Sequence, residues 1–277
     1  VVWKQESVGA EYRKQPHPGS FSMIGVAPQG YLVADADHLF VPTGRNAAAA
    51  YDRSTGKEAY YHSAPYGWGD RWGGTWCFQA NGLFFGWRTH LGPDIDALKG
   101  EYQPDPQDGL VAFEADTSKL KRDFLGKLYA VATKDTLYAW GSGKVTAYDF
   151  AQWATGAPVA KCVKWEVDHP RAYSLILAGN TLFVGGDSTV TAIDAVQGKA
   201  LWQAAVTGQA RSLAAADGRL LVSTTDGRIA CFGPRQVAGA PTLQQAVDAA
   251  GFETNARAAT LAERLLAQTE KRQGYCL

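Results

Sequence analysis

The chain has few of the residues that mark metal centres, disulfide scaffolds and membrane spans. It contains one methionine and four isolated cysteines, which are Cys77, Cys162, Cys231 and Cys276. No C-x-x-C pair occurs, which argues against a zinc site, and a disulfide scaffold is not expected in a chain of 277 residues. We expect the cysteines to be small core residues. No apolar run approaches the roughly 18 residues that predict a membrane-spanning helix.

The chain also lacks an excess of either charge. It carries 27 basic and 27 acidic side chains, so its formal net charge is zero. A nucleic-acid or anionic-membrane surface would need clustered Lys and Arg, so neither is expected as a partner. With 46% apolar and 19% charged residues the composition is that of a globular protein. The sequence has no initiating Met, begins at Val1-Val2-Trp3 as if at the end of a strand and stops at Gly274–Leu277 as if at the start of one, so we interpret it as a segment of a longer protein. No signal peptide is visible, and a segment could have lost one.

The strongest signal is a sequence motif that recurs five times. Its first half is an apolar strand after a turn, and each copy contains a leucine that we expect to be buried: Leu39, Leu83, Leu137, Leu182 and Leu220. Its second half is a small residue followed by an apolar or aromatic one, at Ala50-Tyr51, Ala112-Phe113, Ala147-Tyr148, Ala192-Ile193 and Ala230-Cys231. The leucines follow one another at steps of 38 to 54 residues.

Each copy of the motif predicts a β-hairpin followed by a third strand. Glycine-rich segments such as Gly141-Ser142-Gly143 lie between the halves and predict tight turns. A third strand then ends in an aromatic residue, as at Trp165 and Trp202. The period and strand number predict a β-propeller of four-stranded antiparallel blades, an all-β fold. An antiparallel β-sandwich is the rival interpretation, but it does not explain why the same sequence motif recurs at regular spacing.

The best-preserved copy resembles a known repeat. Its sequence runs through Gly179–Gly186, Val190–Ala195 and Gly198–Trp202, and it is similar to the pyrroloquinoline quinone (PQQ) enzyme repeat. That repeat builds the propellers of quinoprotein dehydrogenases. It also builds non-enzymatic propellers, such as the lipoprotein of the outer-membrane β-barrel assembly machinery. The resemblance covers roughly residues 22 to 232 and points to the bacterial cell envelope or periplasm.

The number of blades in the ring stays open. Propellers of the PQQ type usually have seven or eight blades, whereas five hairpin units are visible here, and the last lacks its own closing strand. Val1-Val2-Trp3 is a candidate for that strand. Either five units close a small ring or they are part of a larger one, and we favour the larger ring. Residues 1–232 are therefore interpreted as the propeller.

Residues 233–277 read as a linker and a helical tail. A capping box at Thr242–Gln245 opens a short helix, and Asn255–Gln273 has the apolar spacing of a second one. The tail either packs on the propeller or begins a further domain. Some relatives carry a domain resembling S-adenosylmethionine-dependent methyltransferases, but the glycine-rich nucleotide loop is absent here, so no residue is assigned to that activity.

The sequence shows little catalytic chemistry. The five histidines have no metal-site spacing, and no G-x-S-x-G occurs. A PQQ-dependent dehydrogenase would hold PQQ with a calcium ion and use an Asp base. The adjacent cysteine pair of the alcohol dehydrogenases is missing, and no carboxylate fits a site motif. We therefore assign no catalytic, cofactor or metal residue, and keep PQQ with calcium as the alternative.

Two local features suggest a partner-binding surface. One is a tryptophan-rich loop or corner with polar residues, whose candidate contacts are Trp68, Asp70, Arg71, Trp72 and Trp76. The other is an insertion over Arg88–Gln107 in the second unit. Packing between blades is the simpler interpretation of the tryptophans, and a solvated loop that of the insertion. The resulting hypothesis is a non-catalytic binding or scaffold module whose partner is a protein or a small molecule.

Overall fold

The fold is known from a computed structural model of the whole chain. It describes residues 1–5, 11–14, 21–24, 26–44, 47–61, 73–87 and 109–234, together with the helical positions 260, 263, 264 and 267. The chain divides into two compact units, Val1–Pro234 and Arg235–Leu277. The predicted tail helices fall almost wholly outside the described residues. Among the described residues no helix is long and apolar enough to cross a membrane.

The larger unit is an array of antiparallel blades, as the repeats predict. A separate hairpin precedes them, formed by β1 (Glu11–Lys14) and β2 (Phe21–Ile24). Blades 1 and 2 pair in sequence order and consist of β3 (Val33–Ala34), β4 (His38–Val41), β5 (Ala49–Asp52) and β6 (Glu58–Tyr60), then β7 (Gly73–Ala80), β8 (Leu83–Trp87), β9 (Gly109–Glu114) and β10 (Leu120–Leu125).

Blades 3 to 5 continue the same order. Blade 3 comprises β11 (Tyr129–Ala132), β12 (Thr136–Gly141), β13 (Lys144–Asp149) and β14 (Val163–Asp168). Blade 4 comprises β15 (Ser174–Ala178), β16 (Thr181–Gly185), β17 (Asp187–Asp194) and the first part of β18 (Ala200–Ala216). The rest of β18 is the inner strand of blade 5, followed by β19 (Arg219–Thr224) and β20 (Ile229–Phe232).

This strand order gives the blades two distinct ends. The linker end carries the middle hairpins, such as that between β16 and β17, and the connections from one blade to the next. The turn end carries the first hairpin of each blade and the turn before its outer strand. Blade faces are covered by their neighbours, which leaves the two ends for binding.

Local sequence explains the tight hairpins. Asn81-Gly82 and Asp217-Gly218 both have positive φ at two successive residues, at 51° and 71° and at 50° and 70°. Ser142-Gly143, in the middle hairpin of blade 3, has the same pattern. Two left-handed residues match the twist of the flanking strands, and glycine adopts this conformation without steric cost.

The core lies between successive blades, and it confirms most of the predicted burial. Leu137 and Leu182 are fully buried, and Leu83 and Leu220 nearly so. Leu39 is only half-buried, so the expectation of full burial was wrong there. The neighbouring Phe40 is fully buried instead and stacks on an aromatic ring of blade 2.

Strand register corrects the repeat in two blades. In blade 5, Leu220 pairs with Phe232 rather than with Cys231. Leu137 pairs with Tyr148 and Leu182 with Ile193, but in blade 2 it is Phe84 that pairs with Phe113. The residue equivalent to the repeat leucine of blade 2 is therefore Phe84, one position after Leu83. Both side chains are apolar, so the sequence pattern alone did not distinguish the two registers.

Blade 3 contains a helix that the repeat analysis missed. It is α1 (Phe150–Ala154), and a 3-10 turn at Val159–Cys162 follows it. The Asp149 carboxylate caps the helix by accepting a hydrogen bond from the backbone of Gln152. Phe150 and Trp153 are both fully buried against blade 2. An N-cap residue followed by apolar residues at this spacing was the available signal.

Candidate functional site

The predicted aromatic site is only partly described. Trp68, Asp70, Arg71 and Trp72 lie outside the described residues, as does the insertion Arg88–Gln107. Their role in binding stays a prediction. Trp76 is described in β7, where it is half-buried and stacks on Trp87 with ring centroids 5.6 Å apart. That contact favours a packing role for this residue.

The outer strands show how one blade holds the next. Trp165, in the outer strand of blade 3, donates from its indole Nε1 to the carbonyl of Ala195 in blade 4 at 3.2 Å. Tyr60 in blade 1 donates from its hydroxyl to the equivalent carbonyl of blade 2, that of Ala115, at 2.7 Å. Each acceptor lies one residue beyond the acidic residue that ends the third strand. We call the donor the docking residue of its blade.

Blade 2 places a cation at the docking position. The Arg122 guanidinium donates to the carbonyls of Trp153 and Ala157 at 2.6 and 2.7 Å, and it lies 5.2 Å from the Trp153 ring. Arg122 therefore binds one carbonyl in the last turn of α1 and one just beyond the helix, and α1 takes the place of the simple turn found in blades 1 and 4. Basic residues at a helix C-terminus stabilise it for the same electrostatic reason.

In blade 4 the docking surface is a turn with the pattern Asp-x-x-x-Gly, a pattern that blade 1 shares. In blade 4 the Asp194 carboxylate accepts from the backbone N–H groups of Val196 and Gln197. The turn closes at Gly198, whose φ is +71°. A Cβ there would lie 2.6 Å from the Trp165 ring, so only glycine lets the indole lie flat on the turn.

Trp202 occupies the docking position of blade 4, but its surroundings differ. It lies in an open groove of about 860 Å³ between blades 4 and 5, with ring centroids 5.9 Å from Phe183 and 5.8 Å from Phe232. The ring is 38% exposed. Blade 5 ends in Gly233-Pro234 where blade 4 has its Asp-x-x-x-Gly turn, which leaves the indole less covered.

A group of polar side chains meets at the linker end of blades 4 and 5. We call it the polar cluster, and its members are Arg171, Tyr173, Asp187, Gln209 and Arg211. The Tyr173 hydroxyl donates to Asp187 at 2.8 Å and accepts from the Gln209 amide at 2.9 Å. The Arg211 guanidinium donates to the same Gln209 side chain and lies 4.7 Å from the Tyr173 ring. These contacts fix the geometry of side chains that would otherwise rotate freely.

Two members of the cluster, Arg171 and Tyr173, have raised pKa values. Burial and the hydrogen bond to Asp187 raise the pKa of Tyr173, so its phenol stays protonated. The hydrogen bond to Tyr173 raises the pKa of Arg171 further above its usual range. Arg171 and Asp187 are 61% and 55% exposed, with Arg171 Nε 3.8 Å from the Asp187 carboxylate. The linker end thus presents a cation, a carboxylate and a phenol to solvent.

His169, beneath this end, has a structural environment. It is 7% exposed, its carbonyl accepts from the Trp140 indole at 2.8 Å, and its Nε2 lies 3.3 Å from the Thr191 hydroxyl. Burial lowers the pKa of His169, which leaves the imidazole neutral near pH 7. These contacts hold the connection between blades 3 and 4 in place.

A second histidine lies between carboxylates at the turn end. His38 Nδ1 is 3.3 Å from Asp35, and its Nε2 is 3.8 Å from Asp116 of blade 2. Asp116 is 87% exposed, so the contact to blade 2 is weak. In the part of the chain that the structure describes, no three His, Cys, Asp or Glu residues are grouped to hold a metal ion.

Residues 141–273 match the family described as outer membrane protein assembly factor BamB. This match covers just under half of the chain and includes blades 4 and 5. The chain is a β-propeller whose residues 141–273 are similar to PQQ repeats. No curated protein matches it.

Solved structures share the propeller fold at low sequence identity. The computationally designed Ika8 protein is 12% identical with a TM-score of 0.50, over 73% of this chain and 57% of Ika8. The extracellular domain of the putative one component system BT4673 from B. thetaiotaomicron is also 12% identical with a TM-score of 0.50, over 78% of this chain and 28% of that one. BamB from Moraxella catarrhalis is 15% identical with a TM-score of 0.48, over 74% and 59%. The chain thus spans under three-fifths of the Ika8 length.

Proposed function

We propose that this PQQ-repeat propeller is a non-catalytic protein-binding module of the bacterial cell envelope, and that its polar cluster contacts the partner. The observation that supports the proposal is the arrangement of Tyr173 and Arg211, which are stacked and hydrogen-bonded through Gln209 before any partner arrives. Tyrosine and arginine are the residues that most often carry interface energy. A preformed pair loses less conformational entropy on binding.

The location of the cluster fits this role. It lies at an end of the blades, where connections are free to vary without disturbing the packed faces. Arg171 and Asp187 add one exposed charge of each sign beside the aromatic ring. Such a mixture suits a protein surface better than a uniformly charged polymer. The matched family is by its description an assembly factor of the outer membrane, which is the reason for placing this chain in the envelope.

Site-specific photo-crosslinking tests the proposal. A photoreactive side chain at position 187 should crosslink one discrete protein in cells of the source organism. The matched control is position 196, an exposed apolar residue at the turn end of the same blade. Tyr173→Ala should reduce the yield at position 187 at least tenfold, because the anchor of the cluster is gone. Equal crosslinking from both positions, or none from position 187, would contradict the proposed surface.

A cofactor titration tests the alternative of a PQQ-dependent dehydrogenase. The protein is incubated with PQQ and calcium, and binding and dye-linked alcohol oxidation are measured. A non-catalytic module should show neither. Micromolar or tighter binding together with turnover would replace the proposed function with an enzymatic one.

A further inference from the structure

Two successive connections between blades each place a basic side chain on a buried threonine. In the connection into blade 3, Lys127 Nζ donates to the Thr146 hydroxyl at 3.1 Å. In the connection into blade 4, His169 Nε2 lies 3.3 Å from the Thr191 hydroxyl. Both threonines are buried, and each lies two residues before the residue that pairs with the repeat leucine of its blade. The two sites are therefore structurally equivalent.

The sites differ in the residue that faces the threonine on the outer strand. Thr146 pairs with Glu166 in the sheet and donates to its carboxylate at 3.3 Å. A hydrogen bond from Lys144 lowers the pKa of Glu166, so this carboxylate is ionised at neutral pH. Thr191 pairs instead with Gln203, which carries no charge at any pH. A cation beside the threonine thus finds a carboxylate in blade 3 and an uncharged amide in blade 4.

The imidazole of His169 is enclosed between its own connection and the hairpin from β16 to β17. Its Nδ1 is buried and has no hydrogen-bond partner among the described residues. A Cβ on Gly186 would lie 3.2 Å from the imidazole Cε1 and 3.1 Å from the Arg171 carbonyl oxygen, so ring and connection both lie tightly on that hairpin. A neutral imidazole can leave Nδ1 as a lone pair. An imidazolium carries an N–H on both nitrogens, so protonation would bury an unpaired donor together with a positive charge.

The surroundings do not compensate that charge. The carbonyls of Arg171 and of His169 itself favour the protonated ring, but burial outweighs them and lowers the pKa of His169. Charged side chains at this end of the packed elements include Lys144, Glu166, Asp168, Arg171, Asp187 and Arg211. Among the described residues none of these side chains forms an ion pair with the imidazole.

The connection that holds His169 also carries Arg171 and Tyr173 of the polar cluster. At one end of the connection the His169 N–H donates to the Gly143 carbonyl at 2.8 Å. At the other end the Tyr173 N–H donates to the Gly185 carbonyl at 2.7 Å. The imidazole lies between the connection and blade 4, so the connection moves if the ring leaves its site. The contacts of Tyr173 with its neighbours in the cluster are then lost.

We propose that His169 is a pH switch for the polar cluster: its protonation in mildly acidic solution drives the imidazole out of its site, opens the connection and disassembles the cluster. Once hydrated, the histidine recovers its ordinary pKa of 6.5. Because the open state binds the proton more tightly than the closed state, opening is favoured as the pH falls below about 6.5 and is least favoured above it. The loss of a partner on opening rests on the proposed function, whereas the opening itself does not.

Amide hydrogen exchange resolved by NMR tests the switch. Protection of the Tyr173 amide, corrected for the intrinsic exchange rate, should fall by up to about eightfold from pH 7 to pH 5.5, which is the gain in protonation of a hydrated histidine. The matched control is the Leu128 amide, which donates to the Trp140 carbonyl at 2.9 Å in the equivalent connection into blade 3. Its protection should stay constant. Constant protection of Tyr173, or an equal fall at both amides, would overturn the proposal.

Two variants identify His169 as the cause. His169→Gln keeps a side-chain amide near Thr191 but cannot be protonated, so protection of the Tyr173 amide should be the same at both pH values. Gln203→Glu gives Thr191 the carboxylate that Thr146 has in Glu166, so it should hold the imidazolium in place and make the fall smaller than in wild type. Because the second variant retains His169, the test does not depend on the folding of the first. A fall of wild-type size in either folded variant would contradict the switch.

Crosslinking from position 187 gives a separate readout for the partner. In cells held at pH 7 and at pH 5.5, the yield should be lower at pH 5.5 in wild type and equal at both pH values in His169→Gln. If position 187 captures nothing at either pH, the proposed function fails, while amide exchange still decides the switch. A fall in Tyr173 protection with equal crosslinking at both pH values would contradict control of the partner by His169.

Discussion

At the scale of single residues, one side chain in each of blades 1 to 3 donates hydrogen bonds to the next blade. Trp165 and Tyr60 donate to equivalent carbonyls, and Arg122 reaches the same region through two hydrogen bonds. A tyrosine, an arginine or a tryptophan can occupy this position, because each side chain has a planar group with a hydrogen-bond donor at its edge. The aromatic residues were recognisable from sequence as the ends of third strands, but Arg122 was not, because it breaks the aromatic pattern.

Trp165→Ala should lower the free energy of unfolding by about 2 kcal/mol, since the side chain is half-buried and full burial would give more. Trp165→Phe keeps most of the ring contact and loses only the hydrogen bond to Ala195, so about 1 kcal/mol is expected. Urea unfolding at 25 °C measures both. Equal stability of wild type and Trp165→Ala would show that the docking contact contributes nothing.

The cysteines should differ in reactivity. Cys77 and Cys162 are buried and Cys231 is exposed, so the expectation of a core position was wrong for Cys231. Burial raises the pKa of the Cys77 thiol to about 12, which leaves almost no thiolate at pH 8. In a Cys276→Ser background at low protein concentration, Ellman's reagent should label one thiol quickly and two more only after unfolding. Rapid labelling of all three in the folded protein would contradict the described core.

At the scale of elements, the Asp-x-x-x-Gly turns of blades 1 and 4 each lie under an indole ring. The sequence predicted turns at Gly56 and Gly198 but not why glycine is needed, because the indole above each turn comes from a distant part of the chain. Similarly, α1 lies in blade 3 where blades 1 and 4 have a turn, and the spacing of the repeats did not predict this helix. Hairpins were predictable because their turns and strands are adjacent in sequence.

A pair of glycine substitutions separates backbone strain from the docking contact. Gly198 and Gly218 have nearly equal φ of +71° and +70°, but a Cβ on Gly218 would meet nothing within 4 Å. Gly218→Ala should cost only the left-handed conformation, about 1 kcal/mol. Gly198→Ala should cost more than that, because its Cβ also displaces the Trp165 ring. Equal losses in thermal or urea unfolding would show that the indole does not lie on the turn.

The turn of blade 1 should make stability depend on pH. Hydrogen bonds from the Ser54 and Thr55 side chains and backbones lower the pKa of Asp52 from its ordinary 3.8 to about 2. The turn's contribution is therefore complete above about pH 4 and is lost as the pH falls through 2. The stability difference between wild type and Asp52→Asn should shrink over this range in urea unfolding. A difference that stays constant between pH 5 and 2 would contradict the hydrogen-bonded turn.

At the scale of the whole molecule, repetition made the fold predictable while the binding surface was not. Five copies of a leucine-containing motif predicted antiparallel blades, and the structure confirms these blades. The polar cluster escaped detection because its members come from three separate connections, at Arg171, Asp187 and Gln209, and none belongs to the repeated phrase. Contacts between non-repeated positions leave no periodic signal in a single sequence.

Amide hydrogen exchange read by mass spectrometry tests the blade architecture most directly. We expect protection that returns with every repeat, is strongest in the middle strands β12, β13, β16 and β17, and is weaker at β20, since among the described residues no strand pairs with its outer edge. Each maximum should coincide with a buried leucine or Phe84 position. Protection confined to one continuous stretch, or absent from the middle strands of blades 3 and 4, would contradict a propeller built from these repeats.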